Sequence, residues 1–189
     1  MKTEVLFVQG GGNGAYAADE RLAASLRAAL GSGYDVHYPR MPNEASPDYA
    51  AWKREISSEL RRLQRGELVL VGHSLGGSIL LKALSEETAG PTLRGLFLLA
   101  TPYWGGDAEW TWPDVHLPHD AAAKLASIPR ITFFHGRDDE IVPFAHLARY
   151  AAKFPRAMIR ELENRGHQLR NDLTEVAAEI REVTLGART

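Results

Sequence analysis

The sequence predicts an α/β domain, a mainly parallel six-stranded sheet sandwiched between two layers of helices. Three observations predict it. Short apolar runs alternate with longer segments of helical period along the whole chain. Four of those runs are apolar at nearly every position, which is how strands buried on both faces of a parallel sheet read. The length, 189 residues, suits one domain with a substantial core.

The expected strands are Val5–Val8, Asp35–Tyr38, Leu68–Val71, Leu96–Ala100, Ile131–Phe134 and Ala157–Leu162. Helices are expected between them. Leu22, Leu26 and Leu30 recur at i, i+4 and i+8, and Gly31 can end that helix. Ser46-Pro47 supplies an N-cap and a proline at the first helical position. Trp52, Ile56, Leu60 and Leu63 then form one stripe, with Gly66 at the stop. Ile79, Leu80 and Leu84 mark a third helix, and Phe144, Leu147 and Ala151 a fourth. Asp172 and Glu175 have capping-box spacing before Leu173, Val176, Ile180 and Val183. Alternating strand and helix implies right-handed βαβ units, with functional groups just beyond the C-terminal strand ends.

Residues 101–120 break the pattern. They hold three of the four tryptophans, with glycines and prolines but no clean period. A loop covering a core edge and a short lid over the site both fit, and the lid is favoured because long irregular insertions at the strand-end face often act as lids.

Composition narrows the function classes. Net charge is −2, so no basic surface for nucleic acid or an anionic membrane is expected. Cysteine is absent, which excludes disulfides, thiolate metal sites and cysteine catalysis. No signal peptide is read at the N-terminus, and no apolar stretch is long enough to span a bilayer. A cytoplasmic location is the default expectation.

Gly72-His73-Ser74-Leu75-Gly76 matches G-x-S-x-G. It sits between the third strand and the third helix, the strand–turn–helix context that the motif needs. At ordinary glycine usage a given serine matches by chance about once in 200. With nine serines in the chain, a stray match is uncommon. The turn would hold the serine strained above the sheet, with the residues two before and two after it crowding each other. These residues resemble the nucleophile elbow of the α/β-hydrolase superfamily, and the resemblance runs over essentially the whole chain. The small size, Met41-Pro42 and Trp52 look like the compact YdeN-type and retinoblastoma-binding-protein-like serine hydrolases. The implied fold is a three-layer α/β/α sandwich of one domain, 1–189, with strand order 2-1-3-4-5-6.

A serine hydroxyl needs a base, and the base needs an orienting acid. The superfamily supplies them in the order Ser, Asp, His. Gly136-Arg137-Asp138-Asp139-Glu140-Ile141-Val142-Pro143 resembles its acid loop and aligns Asp139 as the acid, with Asp138 second and Glu140 third. Alternatively, this acidic cluster only caps the next helix. The base is best placed at His167, in the Gly166-His167 loop after the last strand. Of the other histidines, His73 lies inside the elbow, His135 ends a strand, and His37 and His146 lie too early or on a helix.

Acyl transfer also needs two N–H donors for the developing oxyanion. One is expected at Leu75. The other is expected at Gly11, with Gly12 next, in Gln9-Gly10-Gly11-Gly12-Asn13-Gly14, which resembles the superfamily's His-Gly-Gly-Gly loop with Gln9 in place of histidine. The same loop fits a dinucleotide fingerprint, but Val36-His37-Tyr38-Pro39-Arg40 ends the second strand without the ribose-binding acid. Walker A fails because no Lys-Ser or Lys-Thr follows. His116, His119, Asp114 and Asp120 lack a completing cluster, so no metal is expected.

The resemblance implies a carboxylesterase-like serine hydrolase with catalytic Ser74, Asp139 and His167, and no cofactor. Tyr103 and Trp104 are expected to line a shallow pocket for a small acyl substrate. Thioester or amide hydrolysis on the same triad, or a binding module with a vestigial triad, are the alternatives. The sequence leaves the oligomeric state open.

Overall fold

The computed structural model describes residues 2–63, 67–86 and 92–185. Six strands form one sheet: β1 (Thr3–Val8), β2 (Tyr34–His37), β3 (Leu68–His73), β4 (Leu93–Leu99), β5 (Ile131–Gly136) and β6 (Met158–Leu162). Their spatial order is β2-β1-β3-β4-β5-β6. Every pairing is parallel. The helices are α1 (Ala15–Leu30), α2 (Tyr49–Leu63), α3 (Leu75–Glu86), the short α4 (Ala121–Lys124), α5 (Ala145–Lys153) and α6 (Thr174–Leu185). This is the α/β-hydrolase fold.

Alternating side chains of the central strands point into two separate cores. Val5, Phe7, Val69 and Val71 meet Leu22 and Leu26 of α1 and Ile180 of α6 on one face. Leu6, Val8, Leu68 and Leu70 meet Trp52 and Ile56 of α2, Ile79 and Leu80 of α3 and Tyr150 of α5 on the other. Because both faces are covered, β3 is buried at all six positions. At the sheet edge β6 is half-exposed and carries Arg160 and Glu161; charges there discourage pairing with another chain.

Several boundaries differ from the sequence reading, each for a local reason. β4 begins at Leu93 because the ladder with β3 shifts register after Leu68, which pairs with Leu93 while Val69 pairs with Gly95. The polar Arg94 at this irregularity interrupts the apolar run, and its guanidinium donates to Glu67 at 2.8 Å. α2 begins at Tyr49, and Asp48 rather than Ser46 caps it, accepting the Ala51 N–H at 2.7 Å. Gly66, the expected stop, lies outside the described residues. At α6, Asp172 accepts the Thr174 N–H, but Glu175 pairs with Arg165 instead of reaching back to close a capping box.

Trp52 shows how packing places a loop near the strand ends. It is fully buried, and its indole N–H donates to the Pro42 carbonyl at 2.7 Å. The Met41-Pro42 turn is thereby anchored to α2, and Met41 N–H in turn donates to Gln9 Oε1 at 3.0 Å. The glycine loop after β1 is thus fixed from below.

Candidate active site

Ser74 sits between β3 and α3, at the carboxyl end of the sheet, with φ of +50°. Such a left-handed backbone is strained for a residue with a Cβ. Ser74 N–H is tied to the Leu99 carbonyl at 2.8 Å, and its own carbonyl accepts the Gly77 N–H at 3.0 Å. The surrounding glycines allow the tight approach, though not by the expected pairing. A Cβ on Gly72 would lie 2.6 Å from Gly77 Cα, three residues beyond the serine. Gly76, expected to crowd Gly72, instead abuts the glycine loop, where a Cβ would lie 2.2 Å from the Gln9 carbonyl oxygen.

That contact brings the glycine loop beside the elbow. A Cβ on Gly11 would approach Leu75 Cδ2 to 2.5 Å. The backbone donors of the loop sort themselves by use. Gly10 N–H donates to Asp19 Oδ2 at 2.7 Å, and Gly12 N–H to the Glu44 carbonyl at 2.7 Å. Gly11 N–H has no partner among the described residues. Leu75, as the first residue of α3, has no intrahelical acceptor for its N–H. Gly12, the second choice as donor, is therefore engaged elsewhere, while the N–H groups of Gly11 and Leu75, beside Ser74, find no acceptor among the described residues.

The acidic cluster after β5 grips the loop after β6 with three consecutive side chains. Asp138 accepts the backbone N–H groups of Arg165 and Gly166 at 2.8 and 2.9 Å. Asp139 takes the His167 ring, with Nδ1 at 3.1 and 3.0 Å from its two oxygens. Glu140 accepts the His167 N–H at 3.1 Å. Asp139, not Asp138, is thus the acid at the imidazole. Its side chain is shielded from solvent and also accepts the N–H groups of Ile141 and Val142 and lies 3.2 Å from His135 Nε2. Burial alone would raise this carboxyl's pKa, but the hydrogen bonds from His135 and His167, the charge of His167 and the Val142 N–H outweigh it. Asp139 is held far below the usual carboxylate range and stays ionised.

Ser74, His167 and the glycine loop share one cavity of about 260 Å³, also lined by Asp19, His73, Ile141 and Gln168. Immediately after Gln168 the chain makes an unusual turn. Leu169, Arg170 and Asn171 all have positive φ, from 46° to 54°. Leu169 is fully buried and anchors this left-handed turn in the core.

Tyr103 and Trp104, expected to line the pocket, do not line this cavity. Tyr103 packs edge-on against Tyr150, and its N–H donates to His146 Nδ1. Trp104 stacks edge-on with Trp110 and Trp112, and its indole donates to Ser78 Oγ at 3.0 Å. Residues 101–120 accordingly lie over the core beside α3 and α5, and none of them lines the Ser74 cavity. Burying these rings against existing apolar surface removes more of them from water than an exposed flap would.

Three contributors escaped the sequence reading: Asp19, Glu44 and Gln168. Asp19 lies on α1, 54 positions from its partner His73, and nothing local marks it. Glu44 receives Gln9 Nε2 at 2.8 Å and Tyr16 N–H at 2.6 Å, so Gln9 is oriented by an acid from the loop before α2. As for metals, among the described residues Glu4, Asp35 and His37 lie close enough to share an ion. They sit on β1 and β2 away from the cavity, and His37 already meets Glu4 at 2.5 Å and Arg62 at 3.4 Å.

A family model described as serine hydrolase matches residues 25–173. The chain belongs to the serine hydrolase family. A comparison with curated proteins returns no match. Solved structures agree with the fold of this serine hydrolase. The ydeN gene product from B. subtilis superposes with a TM-score of 0.73 at 21% identity, covering 97% of this chain and 99% of the other. A point mutant of the meta-cleavage product hydrolase CumD gives 0.71 at 16% identity, with 98% and 92% covered. Est1E from Butyrivibrio proteoclasticus gives 0.69 at 16% identity, with 98% and 88% covered. Among the described residues no helix is long and apolar enough to cross a membrane.

Proposed function

We propose that this serine hydrolase cleaves small carboxylic esters through a Ser74–His167–Asp139 triad. The observation that carries the reading is the His167–Asp139 pair, at 3.0 Å, in the same cavity as the strained Ser74. With Nδ1 committed to Asp139, Nε2 is the ring nitrogen left to serve the serine. Ser74 Oγ attacks the ester carbonyl as His167 takes its proton. The tetrahedral oxyanion is received by the N–H groups of Gly11 and Leu75. The intermediate collapses, breaking the carbon–oxygen bond, and His167 returns the proton to the departing alcohol. Water, deprotonated by His167, then attacks the acyl-enzyme and releases the acid, restoring Ser74. No step calls for a cofactor.

A small acyl group is favoured by the cavity itself. Its glycine-loop wall, Gly10 to Ala15, offers backbone and almost no side-chain surface. A cysteine-free chain without a membrane-spanning helix among its described residues supports a cytoplasmic setting.

The test is hydrolysis of p-nitrophenyl esters of increasing chain length, with fluorophosphonate labelling of the protein. The expected result is turnover fastest with acetate or butyrate and a covalent adduct on Ser74. An unlabelled, inactive wild type, or a Ser74→Ala variant that labels equally, rejects the assignment. Faster turnover of matched thioesters or amides would keep the triad and replace the substrate class.

A further inference from the structure

We propose that His73 and Asp19 form a buried ion pair that positions the oxyanion loop and the His167 loop for the reaction. The inference rests on the serine hydrolase reading above and assigns a role to two residues that take no part in its chemistry.

The geometry is specific about protons. His73 and Asp19 are each 1% exposed. His73 Nδ1 lies 2.8 Å from Asp19 Oδ2, and Nε2 lies 3.1 Å from the His167 carbonyl oxygen. A carbonyl oxygen can only accept. An ionised carboxylate can only accept. Both ring nitrogens must therefore carry protons, and the ring is an imidazolium. Asp19 is saturated with donors in turn. Oδ2 receives Gly10 N–H at 2.7 Å as well as His73, and Oδ1 receives Gln168 Nε2 at 3.1 Å. Gln168 faces the carboxylate with its N–H₂, while its buried Oε1 finds no partner among the described residues.

The charged and titratable groups around His73 are Asp19 from α1, His167 from the loop after β6 and Asp139 from the loop after β5. Burial opposes a charged imidazole, but the Asp19 charge, the Asp19 hydrogen bond, the His167 carbonyl and the more distant Asp139 charge raise the pKa of His73 above its ordinary value. Asp19 is lowered: burial opposes its charge, and the charge and hydrogen bond of His73 prevail, helped by Gly10 and Gln168. Both shifts favour the charged pair that the hydrogen-bond geometry calls for.

The consequence is mechanical. One side-chain pair holds the residue before Gly11, the residue before Ser74, and the backbone of His167 together with the Gln168 side chain. Oxyanion donor, nucleophile and base come from three loops far apart in sequence, and this pair is bonded to all three. A misplacement near 1 Å at such a site can cost on the order of 10²-fold in rate. Because these groups must align only in the transition state, the loss belongs in kcat rather than KM.

The experiment uses the full chain and p-nitrophenyl acetate, with Asp19→Asn, His73→Gln and the double variant. Asparagine keeps the shape but removes the negative charge that an imidazolium at His73 is paired with. Each single variant is expected to lose roughly 10²-fold in kcat with KM changed less than about threefold. The double variant should lose little more than either single, as expected for residues acting as a unit. Hydrogen exchange at Gly10 and at residues 165–168 should speed up in each. Nitrogen-15 spectra of wild-type His73 at pH 7 should show both ring nitrogens protonated, and this readout does not depend on any variant folding. A neutral His73 ring, unchanged kcat in the folded variants, or multiplicative losses in the double variant would overturn the proposal while leaving the triad standing. A wild type that neither hydrolyses ester nor labels with fluorophosphonate removes the serine hydrolase reading and this proposal with it.

Discussion

The loops around Ser74 and the segment 101–120 are both irregular chain at the carboxyl ends of strands, and they draw in different proportions on charge and on ring packing. Around Ser74, carboxylates hold backbone N–H groups and imidazoles: Asp138 on Arg165 and Gly166, Asp139 and Glu140 on His167, Asp19 on Gly10 and His73. In 101–120, rings mostly hold rings, Tyr103 on Tyr150 and Trp104 on Trp110 and Trp112, and Asp107 adds a carboxylate that accepts the Glu109 and Trp110 N–H groups. Charge-assisted hydrogen bonds are short and directional, and so fix where atoms sit. Ring packing is broad and removes apolar area from water. The first region should therefore govern rate and the second stability.

Substitutions can break or sharpen that contrast. The largest effect is expected at Ser74→Ala, which should lower kcat on the order of 10⁶-fold, as loss of a nucleophile does elsewhere, with no loss of melting temperature. Asp139→Asn should follow, at about 10⁴-fold in kcat, because an amide facing Nδ1 favours the wrong tautomer of His167. Steady-state ester hydrolysis reads both, and a melting temperature that fell with Ser74→Ala would blur the division. Trp104→Ala is the reciprocal case. It should cost about 3 kcal/mol by urea unfolding, at the low end for a tryptophan truncation because the ring is only half-buried, and leave ester kcat near wild type. A large fall in kcat would return residues 101–120 to the site.

The polar region also predicts a pH window. The pKa of His73 is raised above its ordinary 6.5, so its stabilising contribution is complete below that value and lost as pH rises through the raised one. The pKa of Asp19 is lowered below 3.8, so its contribution is present above that value and lost as pH falls through the lowered one. The difference in melting temperature between wild type and Asp19→Asn should be widest between 3.8 and 6.5 and narrow on either side. A pH-independent difference would mean the pair is not ionised. The smallest effect is expected at Arg170→Gly. Glycine relieves the left-handed backbone there and should stabilise by about 1 kcal/mol at most.

The same contrast explains what could be read from the sequence. The parallel sheet was legible because β1, β3, β4 and β5 are buried on both faces over most of their length, and two-sided burial writes itself as short runs rich in Val, Leu and Phe. Ser74 was legible because the elbow compresses a strand end, a turn and a helix start into five residues. Asp139 stood out only through the likeness of its loop to a known pattern, and geometry was needed to separate it from Asp138. Asp19 was illegible, since on α1 it looks like any polar residue of a helix, and only folding brings it to His73. Tyr103 and Trp104 misled for a related reason. Aromatic content says that a segment will bury its rings but not against which surface, and here the nearer apolar surface was the core beside α3 and α5. Ser46 reads as the cap of α2, and Asp48, two positions on and not singled out in the sequence, takes that place.

The order along the chain of the strands that carry the site has a consequence for how the protein comes into being. Gly11 leaves β1, Ser74 leaves β3, and His167 arrives only after β6, the last strand of the sheet. A chain being synthesised from its amino end carries the proposed nucleophile long before the proposed base exists. On the proposed mechanism no amino-terminal fragment ending before that histidine can complete a turnover, so the growing chain is inert by that route. Chemistry and completion of the fold arrive together, within the final helix and the turn that precedes it.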